Sequence, residues 1–169
     1  MRQLYIKQKV FSIGEKFTVT DAAGNPRFTV EGSFMSIPKR FHITDAQTGF
    51  EAATVEKKVL SWLPHFDVLV GGSTVASIDK EFTFFKPKYR IDAQGLEVEG
   101  DWWDMNFQVR RGGIVVAEVA QRWLSWGDTY EVTVHDDSME TLIVAIVVAI
   151  DKVKADESSA SSASSATMQ

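Results

Sequence analysis

Apolar and polar residues alternate in short runs over most of the chain, and turn-forming residues separate the runs. Asp21-Ala-Ala-Gly24-Asn25-Pro26 divides Phe17-Thr-Val-Thr from Phe28-Thr-Val-Glu. Asp45-Ala-Gln-Thr-Gly49, Gly71-Gly72, Asp92-Ala-Gln-Gly95 and Arg111-Gly112-Gly113 recur in the same role. The pattern predicts about twelve strands, near 4–9, 16–20, 27–31, 40–44, 51–57, 66–70, 74–79, 84–91, 95–99, 105–110, 114–120 and 129–134. Connections this short join antiparallel neighbours, because a parallel return needs a crossover of about a dozen residues.

The alternation also repeats. Val55-Glu-Lys-Lys-Val-Leu-Ser-Trp62 matches Val119-Ala-Gln-Arg-Trp-Leu-Ser-Trp126, and the same offset pairs Phe66 with Tyr130, Val68 with Val132 and Val70 with Val134. Val30-Glu-Gly32 likewise resembles Val98-Glu-Gly100. Two similar half-barrels are expected, which is a statement about fold rather than function.

Residues 138–154 break the period of two. Asp137 followed by Glu140 has the form of a capping box, and Lys152 and Lys154 sit where a helix C-terminus favours cations. Between them residues 142–150 carry no polar side-chain atom. As a helix this stretch is about 14 Å long at 1.5 Å per residue, half of a ~30 Å hydrocarbon core, so it does not span a membrane. A helix apolar on every side must be surrounded by protein. Exposing its seven large aliphatic side chains would cost on the order of 10–20 kcal/mol. One packed layer leaves faces bare, whereas a sheet closed on itself covers all of them. The expected fold is all-β with one helix: a closed antiparallel barrel of about twelve strands around a central hydrophobic C-terminal helix. Residues 1–155 make up the barrel and helix. The Ser/Ala-rich tail, 156–169, is low in complexity and expected to be disordered.

Composition narrows the chemistry. The 169 residues are 44% hydrophobic, enough for one core. Cysteine is absent, which excludes disulfides, thiolate zinc sites, cysteine nucleophiles and palmitoylated cysteines. A formal net charge of −5 argues against a general nucleic-acid binder. That charge is graded, with a small basic excess in residues 1–62 and acidic excess thereafter. The first residues hold no apolar run of signal-peptide length, so a cytoplasmic location is expected, peripheral to the membrane if a lipid is bound.

At this point the residues resemble a known family. Tyr5-Ile-Lys-Gln-Lys9, Phe17-Thr-Val-Thr-Asp21 with Gly24-Asn25, Val30-Glu-Gly32, Asp128-Thr-Tyr130 and the closing apolar run ending at Asp151 are similar in order and spacing to LURP-one-related proteins. That family belongs to the tubby-like superfamily, together with the tubby C-terminal domain and phospholipid scramblases. The resemblance implies a twelve-stranded barrel around a hydrophobic helix, in agreement with the burial argument. For activity it implies less: tubby domains bind phosphoinositide headgroups, and scramblases are associated with calcium and lipid. A scramblase-like calcium site would fall on the stretch from Asp128 to Asp137, whose alternating strand pattern holds the end carboxylates apart instead of folding them around one ion.

An anionic headgroup needs cations on one face. Lys86, Lys88 and Arg90 share a strand face with Phe84, and near an anionic membrane each cation is worth about 1 kcal/mol. Pro87 marks the same stretch as an edge strand, where lysines also block sheet-to-sheet aggregation. The adjacent pairs Lys39-Arg40 and Lys57-Lys58 point to opposite faces. His42, His65 and His135 show no ligand spacing, and nucleotide loops and a nucleophile elbow are missing. Asp45, Asp67, Asp79 and Asp92 are candidates for carboxylate acid–base work, although turn capping explains most of them. Trp102-Trp103 is expected in an alternating strand, one ring in the core and one on the rim. No catalytic residue, metal or cofactor is assigned. The expected role is a non-catalytic binding or scaffold module contacting anionic phospholipid or a protein partner; the alternative is an enzyme with a carboxylate-based site in barrel-end loops.

Overall fold

The computed structural model describes residues 1–7, 16–33, 37–58, 63, 65–81, 88–124 and 127–166. Within them twelve strands form almost where the alternation places them. They are β1 (Arg2–Lys7), β2 (Lys16–Asp21), β3 (Pro26–Gly32), β4 (Lys39–Asp45), β5 (Glu51–Lys58) and β6 (His65–Val70), then β7 (Ser73–Glu81), β8 (Lys88–Asp92), β9 (Leu96–Asp101), β10 (Asn106–Arg111), β11 (Ile114–Leu124) and β12 (Gly127–Val134). All pair antiparallel in the order β8-β7-β6-β5-β4-β3-β2-β1-β12-β11-β10-β9. The β1–β12 pairing bends this one sheet round into a nearly closed barrel whose two edges are β8 and β9.

A 3-10 turn (Asp137–Met139) leads into α1 (Glu140–Ala166), which fills the barrel. Residues 143–150 are at most 1% exposed on every face of the helix, packed against inward side chains such as Leu4, Val30, Ile43, Val55, Phe66, Val68 and Val132. The central apolar helix is therefore enclosed, as the absence of any polar face requires. Among the described residues no helix is long and apolar enough to cross a membrane.

Both ends of α1 depart from expectation. Asp136, not Asp137, caps the 3-10 turn, accepting from the Ser138 backbone N–H at 3.0 Å. Glu140 does not close a capping box. Instead it bridges Arg2 and Arg27 at the barrel floor, with Arg27 Nε donating at 2.9 Å. At the other end the helix does not stop at residue 154 but continues through Ala166, across most of the segment expected to be disordered. Ala is the best helix former, and adding residues to an established helix needs no new nucleus. Ser158 and Ser159 donate their hydroxyls to the carbonyls four residues back, at 3.0 and 2.9 Å. Asp156 and Glu157 tie the emerging helix to the barrel mouth through Lys57 and Lys80.

The sequence echo is an echo of register. β5 pairs with β6 through Val55↔Val68 and Lys57↔Phe66, and β11 pairs with β12 through Val119↔Val132 and Gln121↔Tyr130. A register shift falls after Ile43 in β4 and at the matching place, after Val109, in β10. The match continues past the chain termini: Ile78↔Ile91 of β7–β8 corresponds to Ile6↔Val19 of β1–β2. The two halves are thus β3–β8 and β9–β12 with β1–β2.

Candidate binding surface

The barrel interior holds helix, so the polar side chains are gathered on the outer face and at the two ends. Of the basic stripe, Lys86 lies outside the described residues. Lys88 and Arg90 are on edge strand β8, where the register sets them opposite Glu81 and Asp79 of β7. Arg90 is exposed, with Nη2 3.6 Å from Asp79 Oδ2. Both described positions of the stripe therefore have an acidic residue as their register partner on β7.

The basic pairs divide between the two faces of their strands, as a period of two demands. Arg40 and Lys58 point outward and both reach Glu56, at 2.7 and 2.8 Å. Those two cations hold the Glu56 carboxyl below its ordinary range, with Lys58 the larger influence. Lys39 and Lys57 turn toward the barrel mouth, with Lys39 over Phe41 and Lys57 over Phe66. Lys152 of α1 is buried at the same end, 4.6 Å from the Phe41 ring centre and 5.4 Å from that of Phe17.

The histidines look isolated in the sequence, but each lands beside a carboxylate. His42 meets Glu51 at 2.6 Å and His135 meets Glu118 at 3.3 Å. His65 meets two: Nε2 lies 2.8 Å from Asp67 Oδ1, and Nδ1 bonds Asp79. Burial works against a charged ring, but the bonds to Asp79 and Asp67 outweigh it and raise the His65 pKa above its ordinary value. Lys58 closes on Asp67 at 3.3 Å, so Arg40, Glu56, Lys58, Asp67, His65, Asp79 and Arg90 form one line of alternating charge from β4 to β8. Sequence reasoning passed over this line. Its signal was available in the placement of Asp67 two residues from His65, on the same strand face. The two acids bond different ring nitrogens, and among the described residues no three such side chains are grouped to hold a metal ion.

The other carboxylates have local roles. Asp45 Oδ1 accepts from the backbone N–H groups of Thr48 and Gln47, and the Thr48 bond does most to lower its pKa. Asp92 ends β8. Asp128 is the second residue of β12 and Asp137 follows the end of that strand, so the extended run 129–134 separates them as expected.

Trp102 and Trp103 depart from the alternating-strand expectation. β9 ends at Asp101, and both rings lie in the following turn, half-buried and edge to face with centroids 5.6 Å apart. Asp101 Oδ1 accepts from the Asp104 backbone N–H at 3.0 Å, and this Asx turn breaks the strand. An outer groove of about 510 Å3, with Gly100 and Ala120 among its lining residues, crosses β9–β12 nearby.

Comparison with known proteins agrees with this architecture. The chain matches the LURP-one-related family over residues 2–151. It belongs to that family. An uncharacterized Bacillus subtilis protein, YxjI, is 35% identical over 153 residues, covering 90% of this chain and 94% of its own. The X-ray structure of an Arabidopsis thaliana protein superposes with a TM-score of 0.58 at 16% identity, covering 89% of this chain and 91% of that one. At that identity the likeness is one of fold. Among LURP-one-related proteins this chain thus has the family barrel, with a line of alternating charge across β4–β8 and a tryptophan pair beside β9.

Proposed function

We propose that the protein is a non-catalytic binding module that works through its outer surface, meeting an anionic phospholipid headgroup or a protein partner there. One observation carries the reading: side chains 143–150 fill the barrel, each at most 1% exposed, where a barrel enzyme or carrier would hold its ligand. The headgroup would be met by Lys86 together with Lys88 and Arg90 of edge strand β8, with the protein cytosolic and peripheral to the membrane. The acids opposite Lys88 and Arg90 reduce the local positive potential, so lipid binding through this stripe is expected to be weak and salt-sensitive.

The test is binding to phosphatidylserine and phosphatidylcholine vesicles at about 0.1 M and about 1 M salt, which shortens the screening length from about 10 Å to about 3 Å. Selective binding to the anionic vesicles that is lost at high salt and in the K86E/K88E/R90E variant supports the headgroup arm. Equal binding to both vesicles, or binding untouched by the triple reversal, overturns it.

A further inference from the structure

The two junctions between the halves of the barrel differ. At the junction between β2 of the second half and β3 of the first, the strands are zipped from Lys16↔Glu31 through Phe17↔Val30 and Val19↔Phe28. At the other junction, where β8 of the first half meets β9 of the second, the two strands share only the bridge Ala93↔Leu96 among the described residues, and from there they are the two edges of the sheet. The consequence shows in burial. Val19 and Val30 are 0% exposed, whereas their counterparts Ile91 and Val98 point inward but are only half-buried. The half-buried Trp102 and Trp103 follow directly at the end of β9.

We infer that the β8–β9 seam is a docking site for an extended strand of a protein partner, which pairs with the edge of β9 and covers Val98 and Ile91. The inference rests on the binding-module reading and deepens it by naming a surface and a class of partner. Strand addition supplies affinity through main-chain hydrogen bonds and specificity through alternate side chains, and half-buried tryptophans are frequent anchors of such contacts. Charge selects the occupant. Glu97 and Glu99 of β9 are exposed, as is Arg90 of β8, so joining either edge to the same edge of a second copy brings like charges together. A partner strand with apolar residues facing inward and a cation facing β9 meets neither penalty.

The zipped junction shows what such a strand looks like. Pairing β2 on β3 places Phe17 opposite Val30 and Lys16 3.2 Å from Glu31, and the β9 counterparts of Val30 and Glu31 are Val98 and Glu99. A capped peptide copying residues 16–21 is therefore the probe, titrated into the full-length protein and followed by backbone amide NMR and hydrogen exchange. Expected are shifts and protection confined to β8, β9 and the Trp102–Trp103 turn. Binding should be at least tenfold weaker for the E97K/E99K variant, and at least tenfold weaker for a peptide N-methylated at its hydrogen-bonding amides. No response on β9, equal binding of the N-methylated peptide, or a response elsewhere on the barrel overturns the inference. Anionic vesicles that perturb the seam when the peptide does not would assign it to lipid and overturn it as well. Peptide binding without vesicle binding leaves the seam standing and removes only the headgroup arm.

Discussion

The hydroxyl of Tyr130 donates a hydrogen bond to Asp151 Oδ1 at 3.1 Å, joining β12 to the central helix one turn before it leaves the barrel. Both side chains are buried, Tyr130 to 1% and Asp151 to 6% exposure. A carboxylate this far from water depends on the donors that face it, so its bonds are worth more than exposed ones. Tyr130→Phe keeps the ring, over which Lys154 lies at 6.0 Å, and removes only the donor. A hydrogen bond to a charged group contributes about 1.5–3 kcal/mol, so the melting temperature should fall by roughly 3–12 °C for a chain of this length. Thermal unfolding followed by circular dichroism measures it; an unchanged midpoint would mean the hydroxyl contributes nothing to holding the helix.

His65 gives stability a pH dependence whose sign follows from its bonds. Its ring faces Asp67 on its own strand, Asp79 on β7 and Lys58 on β5, and Arg90 of β8 stands behind Asp79. Hydrogen bonds to two carboxylates require both ring nitrogens protonated, and they raise the pKa despite burial. A group whose pKa is higher in the folded chain contributes stability that is complete below the unfolded value, about 6.5 for His, and is lost as pH rises through the folded value. The wild-type melting temperature should accordingly decline between about pH 6 and the folded pKa relative to His65→Gln, which lacks this component. Parallel pH profiles for the two proteins, or an NMR titration midpoint of His65 below 6.5, would contradict the assignment.

This charge line also marks how far the sequence is legible. All twelve strands follow from alternation, because each buries one face and exposes the other, and that demand is written residue by residue. The enclosed helix follows from residues 142–150, where no polar face exists to turn outward. Cross-strand partners are less visible. His65 and Asp79 are fourteen residues apart and meet only because β6 and β7 pair in one register. Arg27 and Glu140 are 113 residues apart and meet because the helix enters beside β3. The same dependence on partners applies to the basic stripe: the acids opposite Lys88 and Arg90 come from β7, and only the β7–β8 register brings them there. At Trp102-Trp103 a local signal, Asp101 as the acceptor of an Asx turn, outweighed the strand pattern.

Ile146 tests the enclosure itself. It lies in the middle of the buried stretch and is 1% exposed. An aspartate there would lose the apolar contacts and place a carboxylate with no designed partner inside the barrel, where it must either take up a proton at a cost or draw water into the core. A domain is stable by only about 5–15 kcal/mol, and a defect of this kind consumes most of that margin. Ile146→Asp should yield insoluble or unfolded protein. Ile146→Val removes one methyl group and should fold, with a loss of about 0.5–1.5 kcal/mol and a melting temperature lower by roughly 1–6 °C. The contrast separates enclosure from mere contact. If the helix lay on the outside of the sheet, the aspartate variant could turn its side chain to water and melt close to wild type, and soluble Ile146→Asp protein with an unchanged transition would refute the buried placement.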